Sequence, residues 1–163
     1  KALGAGEVIL TGTRDNRLEI GRQLGADHVI NVRNEDAVAK VKEYTHGGAH
    51  YVLECSGAPN AVNDASAMLR RGGRICLAAF PAEPVPIDVA ALVRNNIYLF
   101  GIRGEGRSAT HRAASLMAQK RFNAKIIHTH TFPLEEVPTA LRYARERIDD
   151  AIKVVVKMNP QAA

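Results

Sequence analysis

Near the start of the chain, Gly12, Thr13, Arg14 and Arg17 carry the groups best suited to hold an anion. They follow a short apolar run, residues 8–11, that reads as a strand stopping at Gly12, with Thr13, Arg14 and Asp15 in the first turn of a helix. A hydroxyl and a guanidinium are thereby set together at the carboxyl end of a strand, where open α/β sheets bind their ligands. That placement predicts a nucleotide site. The six histidines (His28, His46, His50, His111, His128, His130) show no spacing with Cys or carboxylates that would build a metal site. His128 and His130 sit two apart on an extended run and would share a face, but they read as partly exposed strand residues. Cys55 and Cys76 lie in apolar runs at the spacing of no metal or redox motif, and are expected to be reduced core residues.

The elements that must position the anion-binding residues alternate along the chain. Leu18, Gly21 and Leu24 give residues 14–24 a helical stripe that Gly25 stops, and 28–32 is a second strand. Ala37, Val38, Val41 and Tyr44 mark a helix over 36–44, closed by Gly47-Gly48, and 51–55 is a third strand leading into Ser56-Gly57-Ala58-Pro59. The stripe Ala61, Val62, Ala65, Met68, Leu69 is helical, and Arg70-Arg71 suits the negative end of its dipole. Gly72-Gly73 turns the chain into a strand over 74–80. Pro81, Pro84 and Pro86 then lead to a short helix over 89–93 and a strand over 97–100. Helical patterns cover 109–120 and 135–147, the latter with Pro138 confined to its first turn, while 126–130 is extended and 152–157 is a last strand. Strands separated by single helices predict one α/β domain with a mostly parallel sheet and helices on both faces.

Composition narrows the functions available. An apolar share of 46% over 163 residues fits a globular domain. The net charge of +5 is scattered (Arg14, Arg17, Arg22, Arg33, Lys40, Lys42, Arg70, Arg71, Arg103, Arg107) and only 5% of residues are aromatic, so no nucleic-acid surface is expected. No apolar run approaches the roughly 18 residues of a membrane span, and a cytoplasmic protein is expected. The opening Lys1-Ala-Leu-Gly-Ala-Gly6 lacks an initiator Met and reads as the end of a helix, as in part of a longer protein.

Glu54-Cys-Ser-Gly-Ala-Pro59, Leu69-Arg-Arg-Gly-Gly-Arg74, Pro133-Leu-Glu-Glu136 and Ile152-Lys-Val-Val-Val156 occur in the order and spacing of a known family. The chain resembles the cofactor domain of medium-chain zinc-dependent dehydrogenases, and within them the sorbitol, L-iditol and threonine dehydrogenase branch. The resemblance covers residues 1–158, with 159–163 as a tail. It implies a Rossmann-like, doubly wound fold lacking, in this chain, the family's first strand and its G-x-G-x-x-G turn. That strand would lie between the strands at Val8 and Tyr51, so the chain alone is expected neither to fold nor to function. The resemblance further implies catalytic zinc held by a domain not in this chain, which polarises the substrate oxygen, and a secondary alcohol or polyol as substrate. Edge strands near Ile97 to Phe100 pair in the family, so a homodimer or homotetramer is expected. A zinc-independent quinone or enoyl reductase and a non-enzymatic nucleotide-binding domain are the alternatives.

The resemblance also assigns cofactor contacts. Family members using NAD carry an acidic residue where the second strand ends, and matching Arg17-Leu-Glu and Leu24-Gly-Ala puts Gly12 there. Loss of that carboxylate removes repulsion of a 2′-phosphate, while Thr13 and Arg14 add a donor and a cation, as in the Gly-Ser-Arg loops of NADP-using relatives. One charge pair at about 4 Å is worth about 4 kcal/mol at an effective dielectric of about 20. NADP is therefore expected, with NAD the alternative. Arg17 is expected near the adenosine ribose or its phosphate, and Arg33 to approach the same group. Ser56 and Gly57 match the adenosine-side wall, Ala78 and Ala79 the approach of the nicotinamide ribose, Ile102, Arg103 and Gly104 the segment holding the carboxamide, and Lys153 a cation over the pyrophosphate. Glu54 reads as a structural acid, and no catalytic or metal-binding residue is assigned.

Overall fold

The structure, a computed structural model, describes residues 1–104 and 106–158; the 159–163 tail lies outside the described residues. The chain divides into two compact units: Lys1–Val29 together with residues from His111 on, and Ile30–Thr110. Among the described residues no helix is long and apolar enough to cross a membrane.

In the first unit, β1 (Ile9–Gly12) leads into α1 (Asp15–Gln23). β1 and β2 (His28–Asn31), whose second half belongs to the other unit, form a two-stranded sheet. Asp27 fixes the approach to β2, donating its N–H to the Val8 carbonyl at 2.8 Å and accepting the Val8 N–H on its carboxylate at 2.7 Å. The end of α1 follows from Gly25, whose φ of 102° no β-carbon favours. The Gly25 N–H then reaches the Arg22 carbonyl and the Ala26 N–H the Gly21 carbonyl, a Schellman closure. The helix start differs from expectation. Arg14 is the cap residue in extended conformation (φ −134°, ψ 121°), so Thr13 and Arg14 link strand to helix instead of lying in the first turn.

β6 (His128–Pro133), α6 (Val137–Glu146) and β7 (Lys153–Lys157) form a parallel β-α-β module in the same unit. Pro138 falls in the first turn of α6, the position the sequence required. The expected extended run 126–130 is corrected. Residues Ala124–Ile127 form a 3-10 turn, opened by the Asn123 side chain accepting the Lys125 N–H at 3.2 Å, and the strand begins only at His128. A register shift falls between His128 and His130, and the two imidazoles have different partners. His128 bonds Thr131 Oγ1 at 2.8 Å, whereas the half-buried His130 and Phe132 pack against Tyr143 of α6, with ring centroids 5.2 and 5.0 Å away.

The second unit holds α2 (Ala37–Tyr44) and the parallel sheet β3-β4-β5. Its strands are β3 (Ala49–Glu54), β4 (Leu69–Leu77) and β5 (Tyr98–Gly101). α3 (Ala61–Met68) connects β3 to β4, and α4 (Val89–Arg94), capped by Asp88 accepting the Ala91 N–H at 2.9 Å, precedes β5. α5 (Gly106–Ala118) runs from this unit into the first. The core forms where α3 meets one sheet face: Ala65, Leu69 and Ile75 are buried, with Val52, Leu77, Leu92 and Leu99 around them. Arg70 and Arg71 belong to β4, which corrects their expected place at the end of the α3 helix. Leu69 already pairs with Ala49, and a bulge exposes Arg70, Arg71 and Gly72 before Arg74 pairs with Tyr51. Gly48 permits this close approach, since a β-carbon there would lie 2.5 Å from the Arg70 nitrogen.

The strands fall into three sheets, β1-β2, β3-β4-β5 and β6-β7, and β1 and β3 lie in different sheets, the break expected where the strand between them is lacking. Every strand pair in the latter two sheets is parallel.

Candidate functional site

The predicted residues fall into two groups, one in each unit. In the first unit, Gly12 ends β1 and Thr13, Arg14 and Arg17 follow at the entry to α1. Gly12 lies over Leu18, the buried residue of α1, and that contact turns the chain from strand to helix. The Arg14 carbonyl accepts the Leu18 N–H at 3.1 Å, but its side chain is not used for capping. The Asn16 side chain accepts the Arg17 N–H on Oδ1 at 2.9 Å, which orients its amide nitrogen.

Two donors are left over. Arg14 Nη2 and Asn16 Nδ2 are both buried without a hydrogen-bond partner among the described residues. A buried donor that lacks an acceptor costs about 1–3 kcal/mol, a cost that an acceptor atom placed at this corner would relieve. Its charge agrees. Desolvation, then the nearby cations Arg17 and Arg147, hold the Arg14 guanidinium below its usual pKa, with Asp150 acting in the opposite sense. Arg14, Arg17 and Arg147 therefore gather positive charge where two donors are unsatisfied. Lys153 opens β7 in the same unit, exposed and paired in register with His128.

In the second unit three strand ends are level with one another, Glu54 opposite Leu77 and Leu77 opposite Gly101. Ser56 and Gly57 follow β3, Ala78 and Ala79 follow β4, and Ile102, Arg103 and Gly104 follow β5, so these seven residues line the carboxyl edge of one parallel sheet. The Ala78 N–H bonds the Glu54 carbonyl at 2.8 Å and the Ile102 N–H the Leu77 carbonyl at 3.0 Å, which carries the pairing past the strands. Gly57, at φ 65°, would place a β-carbon 3.1 Å from the Phe80 carbonyl oxygen. Only glycine lets this turn lie so close to the segment after β4.

Glu54 organises that turn. Its buried carboxylate accepts the Ser56 N–H at 2.6 Å, the Ser56 hydroxyl, and the Gly57 N–H at 3.1 Å. The Ser56 hydroxyl is thus spent on structure. Cys55 corrects its expected core position: it is exposed, because strand alternation turns it away once Glu54 points inward. Partial desolvation, then the Glu54 carboxylate and Cys76, push its thiol pKa up. Cys76 is half-buried, and neither cysteine is in a disulfide. Arg33 lies in the second unit, its N–H held by Asn31 Oδ1 at 3.1 Å. Among the described residues no group of three or more His, Cys, Asp or Glu is placed to hold a metal ion.

Sequence reading missed Asn16, Arg147 and Asp150. Asn16 looked like any polar residue of a first turn. The only signal for the other two was the charged run Arg145-Glu-Arg-Ile-Asp-Asp150, unremarked beside the last strand.

Parallel strands joined by helices, in the sheets β3-β4-β5 and β6-β7, define a Rossmann-like architecture. Residues 1–119 match the family described as zinc-binding dehydrogenase, and the chain belongs to that family. It is 30% identical over 161 residues to a sorbitol dehydrogenase of Bacillus subtilis, covering 98% of this chain and 45% of that protein. An L-threonine 3-dehydrogenase of Symbiobacterium thermophilum is 36% identical over 145 residues, covering 86% and 41%. The solved alcohol dehydrogenase of Thermotoga maritima superposes with a TM-score of 0.87 at 32% identity, covering 96% of this chain and 45% of that one. The chain thus spans less than half the length of each.

Proposed function

We propose that this chain forms the cofactor-binding part of an oxidoreductase that transfers hydride between a secondary alcohol or polyol and NADP. The observation that carries the cofactor choice is the buried, partnerless Arg14 Nη2 beside Asn16 Nδ2 at the end of β1, where Gly12 supplies no carboxylate. A 2′-phosphate offers acceptor oxygens for both donors and charge for Arg14, Arg17 and Arg147. NAD, bearing only a hydroxyl there, would bring these arginines no anionic acceptor. In the other unit, Ser56, Gly57, Ala78, Ala79, Ile102, Arg103 and Gly104 are read as backbone and small-residue contacts along the rest of the cofactor, and Lys153 as a cation for its pyrophosphate. When bound, the nicotinamide supplies the hydride acceptor; this chain's residues bind and orient it. The relatives' names, sorbitol, L-threonine and alcohol dehydrogenases, support a hydroxyl-bearing substrate, with zinc held outside the residues seen here.

The test is steady-state kinetics of the full-length protein with NADP and NAD over a panel of polyols, secondary alcohols and threonine, alongside its zinc content. Arg14→Ala is expected to raise the KM for NADP about tenfold or more and leave that for NAD within about twofold, the loss of a charge-assisted contact of roughly 1.5–3 kcal/mol. An unchanged NADP KM would overturn the assignment.

A further inference from the structure

Glu54 ends β3 with its side chain in the interior, only 8% exposed. A carboxylate is costly to bury unless donors surround it, and here the donors come from the turn that follows. Glu54 Oε1 accepts the Ser56 N–H at 2.6 Å, the Ser56 hydroxyl, and the Gly57 N–H at 3.1 Å, while Oε2 lies 3.2 Å from the same Gly57 nitrogen. Ser56 Oγ in turn accepts the Ala58 N–H at 3.1 Å, and the Ala58 carbonyl accepts the Ala61 N–H at 3.1 Å where α3 begins. Three successive backbone donors are thereby tied to one carboxylate, directly or through the Ser56 hydroxyl. The Glu54 carbonyl also accepts the Ala78 N–H at 2.8 Å, so the same residue joins this turn to the segment after β4. With the N–H groups of Ser56, Gly57 and Ala58 all engaged, the turn has none left to hold an anion. It can meet a ligand only through carbonyl oxygens and carbon atoms, which suits a nucleoside and not a phosphate.

We infer that Glu54 is a positioning residue for the cofactor: its carboxylate holds the Ser56–Gly57 turn as a wall for the adenosine, with equal effect on dinucleotides with and without a 2′-phosphate. The inference rests on the reading of Ser56 and Gly57 as cofactor contacts and adds to it a residue that acts through them.

Calorimetric titration of the full-length protein with 5′-AMP and 2′,5′-ADP separates site from fold, because the stoichiometry reports the folded fraction and the dissociation constant reports the folded site. Glu54→Ala leaves the turn without its acceptor and is expected to weaken both nucleotides about tenfold, with the ratio of their affinities within about twofold of its original value. Glu54→Gln keeps the shape but sets an amide donor against the Gly57 N–H, so a loss of about fivefold for both is expected, and this variant decides if Glu54→Ala does not fold. If the unsubstituted protein binds 5′-AMP but the variants bind it within twofold as tightly, or neither variant folds, Glu54 serves the fold alone and the cofactor reading stands. A loss confined to 2′,5′-ADP would also overturn the role given to Glu54. If the unsubstituted protein binds neither nucleotide, the cofactor reading falls and the positioning role with it.

Discussion

Gly12 sits where a side chain would press on Leu18. Its backbone is not left-handed, but a β-carbon would sit 3.2 Å from Leu18 Cδ2 and 3.6 Å from Leu18 Cγ, tight against a side chain 4% exposed. Gly12→Asp would put a carboxylate among the three arginines and repel a 2′-phosphate while offering an acceptor to ribose hydroxyls. The NADP-to-NAD ratio of kcat/KM is expected to fall at least tenfold, at a stability cost of about 1–3 kcal/mol from overpacking, read as a shift in denaturant midpoint. A substitution that lowers stability but leaves the ratio unchanged would refute the role given to this position. At this scale the sequence showed whatever was contiguous. Thr13, Arg14 and Arg17 are visible because they follow a strand end directly, whereas Arg147 and Asp150 join the corner only through folding. The orphaned Asn16 amide required knowing that its oxygen is engaged by the Arg17 N–H.

The β3-β4-β5 sheet has two unequal faces. Val52, Ile75 and Leu99 point toward α3, and Ile75 is fully buried. On the other face Tyr51, Arg74 and Tyr98 stand in one cross-strand row, and Leu53, Cys76 and Phe100 in the next. Tyr51, Leu53 and Tyr98 are each more than 60% exposed. The Arg74 guanidinium lies 5.9 Å from the Tyr51 ring and 5.4 Å from the Tyr98 ring, contacts worth about 0.5–1 kcal/mol each at exposed sites. Ile75→Ala in the full-length protein is expected to destabilise by about 2–5 kcal/mol, measured by chemical denaturation. A loss below about 0.5 kcal/mol would contradict the core place given to Ile75. This asymmetry also explains where element reading failed. Apolar runs located the strands, but hydropathy does not distinguish an inward Ile75 from an outward Leu53. Neither did it show that β4 begins at Leu69, since the pairing with Ala49 precedes the bulge through Arg70 and Arg71.

Across the whole chain a net charge of +5 favours approach of an anionic dinucleotide, and NADP carries one more phosphate than NAD. Raising ionic strength from about 0.01 M to about 1 M shortens the screening length from about 30 Å to about 3 Å. The KM for NADP is expected to rise several-fold more than that for NAD over this range. Parallel salt dependences would argue against a charge-selected cofactor. The α/β class was legible from the regular alternation of strands and helices, and the break between β1 and β3 from the lack of the strand between them; the separate pairing of β6 with β7 was not, because pairing between strands leaves no mark on local pattern. The ring cluster of His130, Phe132 and Tyr143 has an optical consequence. The chain has no Trp and four Tyr, of which Tyr143 alone belongs to the first unit, with Tyr44, Tyr51 and Tyr98 in the second. Replacing those three with Phe leaves Tyr143 as the one tyrosine among residues 1–163, packed against His130 and Phe132 of β6. Tyrosine signal that these replacements leave and Tyr143→Phe then removes reports on the packing of β6 against α6.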